Sequence, residues 1–292
     1  MSIVITGASG NLGRLVAAAV LDGVDPSEVV LLTRDPSRLG DLARRGAEVR
    51  TADFMDPSTL PDAFAGAEKV LVISTDQIGA RVPGHKAAID AAVAAGARSI
   101  AYTSGINPSH SNPIVVATDH RETEEHLRRS GAAWTMLRNS IYAEVLLGGA
   151  GAALATGRHV TNEGDGRVSY VAREDCAAVA AAVLTSDGHD HKIYDVTGPA
   201  ALGAADVAAL YGELGGRPVD VVAVDDAAYT AGLVEHAGMP EPVAQAYATF
   251  GIGTRCGYSA AVSDAVLTIA GKAPRTARDV LAEHRESLAS GA

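Results

Sequence analysis

Lysine is scarce in this 292-residue chain: Lys69, Lys86, Lys192 and Lys272 carry the only ammonium side chains, and the other basic residues are arginines. None of the eight tyrosines has a lysine four residues on. This excludes a Tyr-x-x-x-Lys pair, in which an ammonium lowers the phenol pKa so that it can protonate a carbonyl, and argues against ordinary alcohol–ketone chemistry. Cysteine is limited to Cys176 and Cys256, too few for a disulfide framework and in keeping with a reducing compartment. No apolar run approaches the length of a membrane span, and a strand pattern directly after Met1 leaves no signal peptide. A cytoplasmic protein is therefore expected. Positive charge is in deficit, 24 Lys and Arg against 35 Asp and Glu for a net charge of −11, which disfavours nucleic acid and anionic membrane as partners. There is no Gly-x-Ser-x-Gly elbow and no Cys/His zinc spacing. His189-Asp190-His191 lies in a polar loop without further ligands, so no metal is expected. The abundant alanine and arginine suggest a GC-rich bacterial genome.

Hydrophobic residues make up 47% of the chain, enough for a sizeable core in one large or two modest domains. The N-terminus carries the most informative stretch. A β-branched run, Ile3-Val4-Ile5, feeds Thr6-Gly7-Ala8-Ser9-Gly10-Asn11-Leu12-Gly13, which opens a helical pattern over 12–21. A strand, a glycine turn and a helix form the first unit of a dinucleotide-binding domain. The turn brings backbone close to a pyrophosphate, and the helix start offers unpaired N–H groups and a positive dipole end.

Strand and helix patterns then alternate. Strands are expected at 29–32, 47–50, 70–73, 99–103 and 134–137, with helices at 36–45, 57–64, 83–95 and 113–130. The order predicts an α/β, doubly wound parallel Rossmann sheet. After Asn139 the rhythm breaks. A helix at 141–155, short strands within 158–170, a helix at 173–184 and a strand at 193–196 follow. Beyond Gly203 four helical stretches and one strand at 219–224 read as a smaller C-terminal α+β cap. We assign 1–139 to an NADP-binding Rossmann domain, with 170–198 returning to it, and 140–169 and 199–292 to a substrate-capping domain.

Cofactor choice is made at the end of the second strand, where an acidic residue would hold a ribose 2′-hydroxyl. Here Thr33-Arg34 stands instead, with Arg38 one turn on. A guanidinium suits a 2′-phosphate, so NADPH is favoured over NADH, with NADH left open. Asp53-Phe54, after the third strand, would lie beside the adenine; Asp53 could accept from its amino group or merely start a helix. Ser74, Thr75, Thr103 and Ser104 end the fourth and fifth strands, where ligands sit in open α/β sheets, and Arg138 and Asn139 end the sixth. His120, with Glu124 one turn later, could donate a proton or orient a carbonyl, or be an ordinary surface pair. Tyr142 is a hydrogen-bond donor to substrate or an aromatic wall.

Ile-Thr-Gly-Ala-Ser-Gly-Asn-Leu-Gly at 5–13, Thr33-Arg34-Asp35-Pro36 and Ala52-Asp53-Phe54 resemble the NmrA-like atypical short-chain dehydrogenases/reductases. The segments 101–104, 118–124 and 137–144 sharpen this toward the bacterial type 2 NAD(P)H:quinone oxidoreductases, most clearly over 1–198. The resemblance implies NADPH bound by Gly7, Ala8, Ser9, Gly10, Asn11, Leu12 and Arg34, and direct hydride transfer without flavin to a quinone or related aromatic carbonyl. A quinone accepts hydride without concerted protonation because aromaticity stabilises its reduced anion, which fits the missing Tyr-x-x-x-Lys pair. Tyr142 and His120 are the catalytic candidates. Ser140 and Ile141 depart from the family's glycine and bulky aromatic and would reshape the pocket. Two rivals stand beside this reading: a tailoring oxygenase-type enzyme that reduces a quinoid natural product so that dioxygen can attack it, and a non-catalytic NADP-binding redox sensor. A homodimer is left open.

Overall fold

A computed structural model describes residues 2–78 and 80–285. In chain order the first half comprises β1 (Ile3–Ile5), α1 (Asn11–Leu21), β2 (Val29–Thr33), α2 (Gly40–Arg44), β3 (Glu48–Thr51), α3 (Leu60–Ala63), β4 (Lys69–Val72), α4 (Arg81–Ala94), β5 (Ser99–Gly105), α5 (Val115–Arg129) and β6 (Ala133–Asn139). The second half comprises α6 (Val145–Thr156), β7 (Arg158–Thr161), β8 (Arg167–Val168), α7 (Arg173–Thr185), β9 (Lys192–Val196), β10 (Leu202–Gly203), α8 (Ala204–Gly215), β11 (Asp220–Ala223), α9 (Asp226–Ala237), α10 (Glu241–Arg255), α11 (Ala265–Ala270) and α12 (Ala277–Glu283).

Seven strands form one parallel sheet in the order β3-β2-β1-β4-β5-β6-β9, as the doubly wound reading expects. The order reverses between β1 and β4, so the carboxyl ends of these strands flank a crevice. Both faces are covered, which is why β1, β2 and β4 are continuous apolar runs. On one face Val16, Ala17 and Val20 of α1 pack with Val179, Ala180 and Val183 of α7 over Ile3, Ile5 and Leu31. On the other, Ala88, Ile89 and Leu127 pack over Val4, Val70, Ile100 and Tyr102.

Asp-Pro-Ser occurs three times, at 25–27, 35–37 and 56–58. Each time the aspartate carboxylate accepts from the serine N–H, at 3.0, 3.0 and 3.2 Å. With φ preset by proline, the chain starts a 3₁₀ turn. The expected helices at 36–45 and 57–64 are thus 3₁₀ turns that pass into the short α2 and α3.

The cap has its own core: Leu146, Ala150, Val168, Tyr170, Val207, Tyr211, Val280 and Leu281. Two small sheets, β10-β8 and β11-β7, brace it. The Tyr211 hydroxyl donates to the Leu146 carbonyl at 2.7 Å and ties α8 to α6. Three expectations need correction. Residues 141–144 do not begin the helix, because Ile141 O and Ala143 N pair with the Val171 backbone; α6 starts at Val145. Beyond Gly203 there are five helices among the described residues, not four. One of them, α11, leaves the cap: Val266 joins the Rossmann core beside α7, with Ile269 and Ala270 packed on it. No helix among the described residues is long and apolar enough to cross a membrane.

Candidate functional site

The crevice at the sheet's carboxyl ends is a cleft of about 730 Å³ that runs from Arg34 to Tyr142. Its floor begins at the glycine turn. The Gly10 N–H donates to the Gly7 carbonyl at 2.9 Å, and Gly7 has φ +59°, which an L side chain strains to adopt. At Gly13 a Cβ would lie 2.2 Å from the Gly7 oxygen, so only glycine lets α1 start this close to the turn. Gly10 caps α1 with no side-chain bond, and its first turn holds no acidic residue. Its leading residues Asn11, Leu12 and Gly13 therefore stand at the cleft with no side-chain cap among the described residues, an arrangement suited to a pyrophosphate. Gly7, Ser9, Gly10, Asn11 and Leu12 line the cleft; Ala8 is fully buried in the core instead.

At the β2 end the Thr33 hydroxyl donates to the Ser9 hydroxyl at 2.8 Å and joins the two loops. Arg34 is exposed, lines the cleft and has no partner among the described residues. Arg38 lines it too, with its guanidinium 3.4 Å from the Ser9 carbonyl. This is a cationic pocket suited to a 2′-phosphate. Asp53 and Phe54 form the next wall. The Asp53 carboxylate accepts the Met55 N–H at 2.9 Å, and Phe54 lies against Gly84, whose Cβ would come within 3.0 Å of it.

The other end is built by β4, β5 and β6. Ser74, Thr75, Ser104, Asn139, Ser140, Ile141 and Tyr142 line it. The Thr103 hydroxyl is buried and accepts the Ser74 N–H at 2.9 Å, so it supports the wall from behind. Asn139 donates to the Tyr142 hydroxyl at 3.3 Å, while its own Oδ1 is buried without a partner among the described residues. Burial pushes the Tyr142 phenol pKa up, so it stays protonated and can donate. The Arg173 guanidinium sits 5.1 Å from the ring centre.

Arg138 does not reach the cleft. Its guanidinium makes a two-point contact with Glu124, at 2.9 and 2.8 Å. Glu124, buried within α5, also takes the Ser104 hydroxyl at 2.7 Å and Arg128 at 2.9 Å. The expected His120–Glu124 pair is therefore absent: Glu124 turns to the β5–β6 edge, and His120 turns to Tyr102, whose hydroxyl is 2.9 Å from Nδ1. His120 lines the cleft. Burial, then Arg81 and His85, hold its pKa well below the usual histidine range, so it is a neutral imidazole rather than a charged acid.

Sequence reasoning missed Arg81 and His85 on α4 and Tyr102 on β5. Arg81 is buried and lines the cleft; its Nε donates to Asp119 at 2.9 Å and Nη1 to the Thr75 carbonyl at 3.0 Å, while Nη2 has no hydrogen-bond partner among the described residues. Burial and Arg81 lower the His85 pKa to about 3. A signal was present: Arg81 and His85, and Asp119 and Thr123, are i, i+4 pairs on neighbouring helices, the spacing that puts polar residues on one face. The walls Ile106, Ile114, Tyr247 and Phe250 were missed as well. The last two come from α10, distant in sequence. Elsewhere, His189 of the His-Asp-His segment bonds Tyr194 at 2.9 Å and Ser186 at 3.0 Å.

Residues 7–187 match the NAD(P)H-binding family. Over 255 residues the chain is 37% identical to quinone oxidoreductase 2 of Escherichia coli (strain K12), covering 87% of this chain and 88% of that one. It is 32% identical to an NAD(P)H azoreductase of Xenophilus azovorans, covering 97% of each. The crystal structure of the Escherichia coli NADPH-dependent quinone oxidoreductase complexed with NADPH superposes with a TM-score of 0.92 at 35% identity, over 96% of this chain and 99% of that one. A glycine turn that only glycine can make, a free arginine at the β2 end and this likeness over nearly the whole chain lead to one conclusion: the protein belongs to the NAD(P)H-binding family, among its NmrA-like reductases.

Proposed function

We propose that the protein is an NADPH-dependent, flavin-free reductase of a quinone or related aromatic acceptor. One observation carries this reading: the cleft joins a cationic, glycine-floored dinucleotide trough to a chamber with apolar walls and no Tyr-x-x-x-Lys acid. NADPH, when bound, supplies hydride. The residues proposed to hold it are Gly7, Ser9, Gly10, Asn11 and Leu12 at the pyrophosphate, Arg34 at the 2′-phosphate, Asp53 and Phe54 beside the adenine, and Ser74, Thr75, Ser104 and Asn139 at the nicotinamide end. Ala8, Thr103 and Arg138 act from behind these walls. Asn139 Oδ1 is an acceptor with no donor among the described residues.

The acceptor would lie between Ile106, Ile114, Val145, Tyr247 and Phe250. Val145 and Tyr247 are 47% and 44% exposed and give the cleft an apolar rim, where a flat aromatic ring loses water at low cost. Tyr142 and His120 are the groups proposed to steady its oxygen. Quinones and azo compounds, the acceptors named for the two relatives, both take hydride into a delocalised system. We further propose a cytoplasmic location, on the two unpaired cysteines, and no nucleic-acid partner, on the net charge of −11.

Stopped-flow oxidation of NADPH against a panel of benzoquinones, naphthoquinones and azo dyes, in flavin-free protein, tests the reading. Turnover with at least one acceptor class is expected. Tight NADPH binding with no turnover across the panel would overturn it in favour of a nucleotide sensor.

A further inference from the structure

We infer that His120 presents Nε2–H to the cleft as a fixed hydrogen-bond donor for the acceptor's carbonyl oxygen, and that His85 and Tyr102 are positioning residues that set this tautomer. The inference deepens the reductase reading and rests on it for the identity of the acceptor.

The backbone N–H of Thr75 is a donor whose polarity cannot change. It donates to His85 Nε2 at 3.0 Å. That nitrogen must offer a lone pair, so neutral His85 carries its proton on Nδ1. His85 Nδ1 lies 3.2 Å from the Thr123 hydroxyl and 3.5 Å from the Tyr102 hydroxyl. Thr123 has spent its own proton on the Asp119 carbonyl at 2.8 Å, so it receives His85 Nδ1–H. Tyr102 therefore meets a donor on the His85 side. Its nearest acceptor is His120 Nδ1 at 2.9 Å, and the phenol hydrogen points there. Nδ1 of neutral His120 is thus a lone pair, and its proton is on Nε2.

The ring's surroundings agree. Tyr102 is fully buried, and His120 is 7% exposed. The charged and titratable groups around the pair are Arg81 and His85 on α4, Tyr102 on β5, and Asp119 and Glu124 on α5 itself. Arg81 is salt-bridged to Asp119 and opposes a second positive charge on either imidazole. Nε2 has no protein partner among the described residues and lies 3.2 Å from where a Gly105 side chain would begin. Gly105 and His120 both line the cleft; glycine here keeps open the space in front of the donor.

As hydride reaches a quinone, an electron pair moves onto a carbonyl oxygen. An Nε2–H donor aimed at that oxygen favours the developing oxyanion without reorganisation. The oxyanion then takes its proton from solvent water, and where hydride has bonded to ring carbon the proton of that C–H shifts to the second oxygen, giving the hydroquinone; the imidazole gives none up, since it would be left as imidazolate. One proton and one hydride are consumed per acceptor.

Long-range ¹H–¹⁵N spectra of the ¹⁵N-histidine protein, with and without NADP+, test this directly, with His85→Gln and His120→Gln spectra to assign the rings. The expected result is protonated Nε2 in His120 and protonated Nδ1 in His85, both neutral from pH 8 to 5.5. Tyr102→Phe should release His120 into a tautomer mixture. In kinetics, His120→Leu should lower kcat by about 100-fold and Tyr102→Phe by roughly 10-fold, with KM for NADPH unchanged and His120→Gln partly restored. A His120 Nδ1–H tautomer, or a charged imidazole whose titration kcat follows, would overturn the inference. The spectra need no acceptor, so a failed donor assignment is distinguishable from a failed reductase reading.

Discussion

Arg34 and Arg38 stand one turn apart, yet the fold gives them different circumstances. Arg38 is drawn toward the Ser9 carbonyl, and its own carbonyl accepts from Arg14 at 2.7 Å. Arg34 is left with its full fork of donors open to the cleft. A charged hydrogen bond contributes about 1.5–3 kcal/mol, so Arg34→Ala should raise KM for NADPH by roughly 10- to 100-fold and leave KM for NADH nearly unchanged. Steady-state kinetics with both cofactors checks it; an equal loss for both would remove Arg34 from the 2′-phosphate. Glu124 makes a second case. Its side chain is 1% exposed and neutralises Arg138 and Arg128. Glu124→Ala would leave the half-buried Arg138 guanidinium with Asp195 as its remaining acidic neighbour, and losing its charged hydrogen bonds to Glu124 costs about 1.5–3 kcal/mol. Urea unfolding should show that loss even though Glu124 does not line the cleft.

At the scale of elements, the β1–α1 turn and the α4–α5 pair carry the site. Gly13→Ala puts a methyl 2.2 Å from the Gly7 oxygen. Helix α1 must then back away from the turn at a cost of about 1–3 kcal/mol. Calorimetry should find NADPH affinity lost out of proportion to the fall in Tm, because the N–H groups proposed to meet the pyrophosphate move with the helix. The α4–α5 pair buries His85 and His120 as neutral rings. His85 titrates near 3 in the fold, lowered by burial and then Arg81, and near 6.5 in an unfolded chain. Between these values the unfolded chain binds the proton more readily, so stability is full above about 6.5 and falls as pH drops toward 3. At pH 5 His85 alone should remove about 2 kcal/mol, and His120 acts in the same direction. The urea midpoint should therefore fall between pH 7.5 and 5, less steeply in His85→Gln; an unchanged wild-type midpoint would refute the neutral pair.

For the whole molecule, the cofactor is expected to act as a staple. Its cleft is lined from the β1–α1 turn to α10, so bound NADPH is expected to touch both the Rossmann sheet and the cap. A ligand at 100 times its Kd adds about 2.7 kcal/mol to the native state. Thermal unfolding with saturating NADPH should give one transition, several degrees higher. If only part of the melt shifts, the cap unfolds independently of the cofactor.

The nucleotide half of the molecule was legible in the sequence because its signals are local. A β-branched run and three glycines lie within Ile3–Gly13, where backbone sterics dictate what they form, and Arg34 stands directly after a short apolar strand. The alternation of short strands and helices likewise determined the parallel sheet. Only tertiary structure decided which side chains meet. Arg138 is next to Asn139 in sequence, but the strand's two-residue period sends one to Glu124 and the other to the cleft. Helix packing, not spacing within α5, turned Glu124 away from His120 and set His120 against Tyr102. Helix α11 left the cap because its apolar side fits α7, a contact between segments some 90 residues apart that no local pattern encodes. The chamber walls Tyr247 and Phe250 reach the cleft from α10, more than 100 residues after the sixth strand. A glycine turn can be read where it stands; a pocket built from distant segments exists only once the chain has folded.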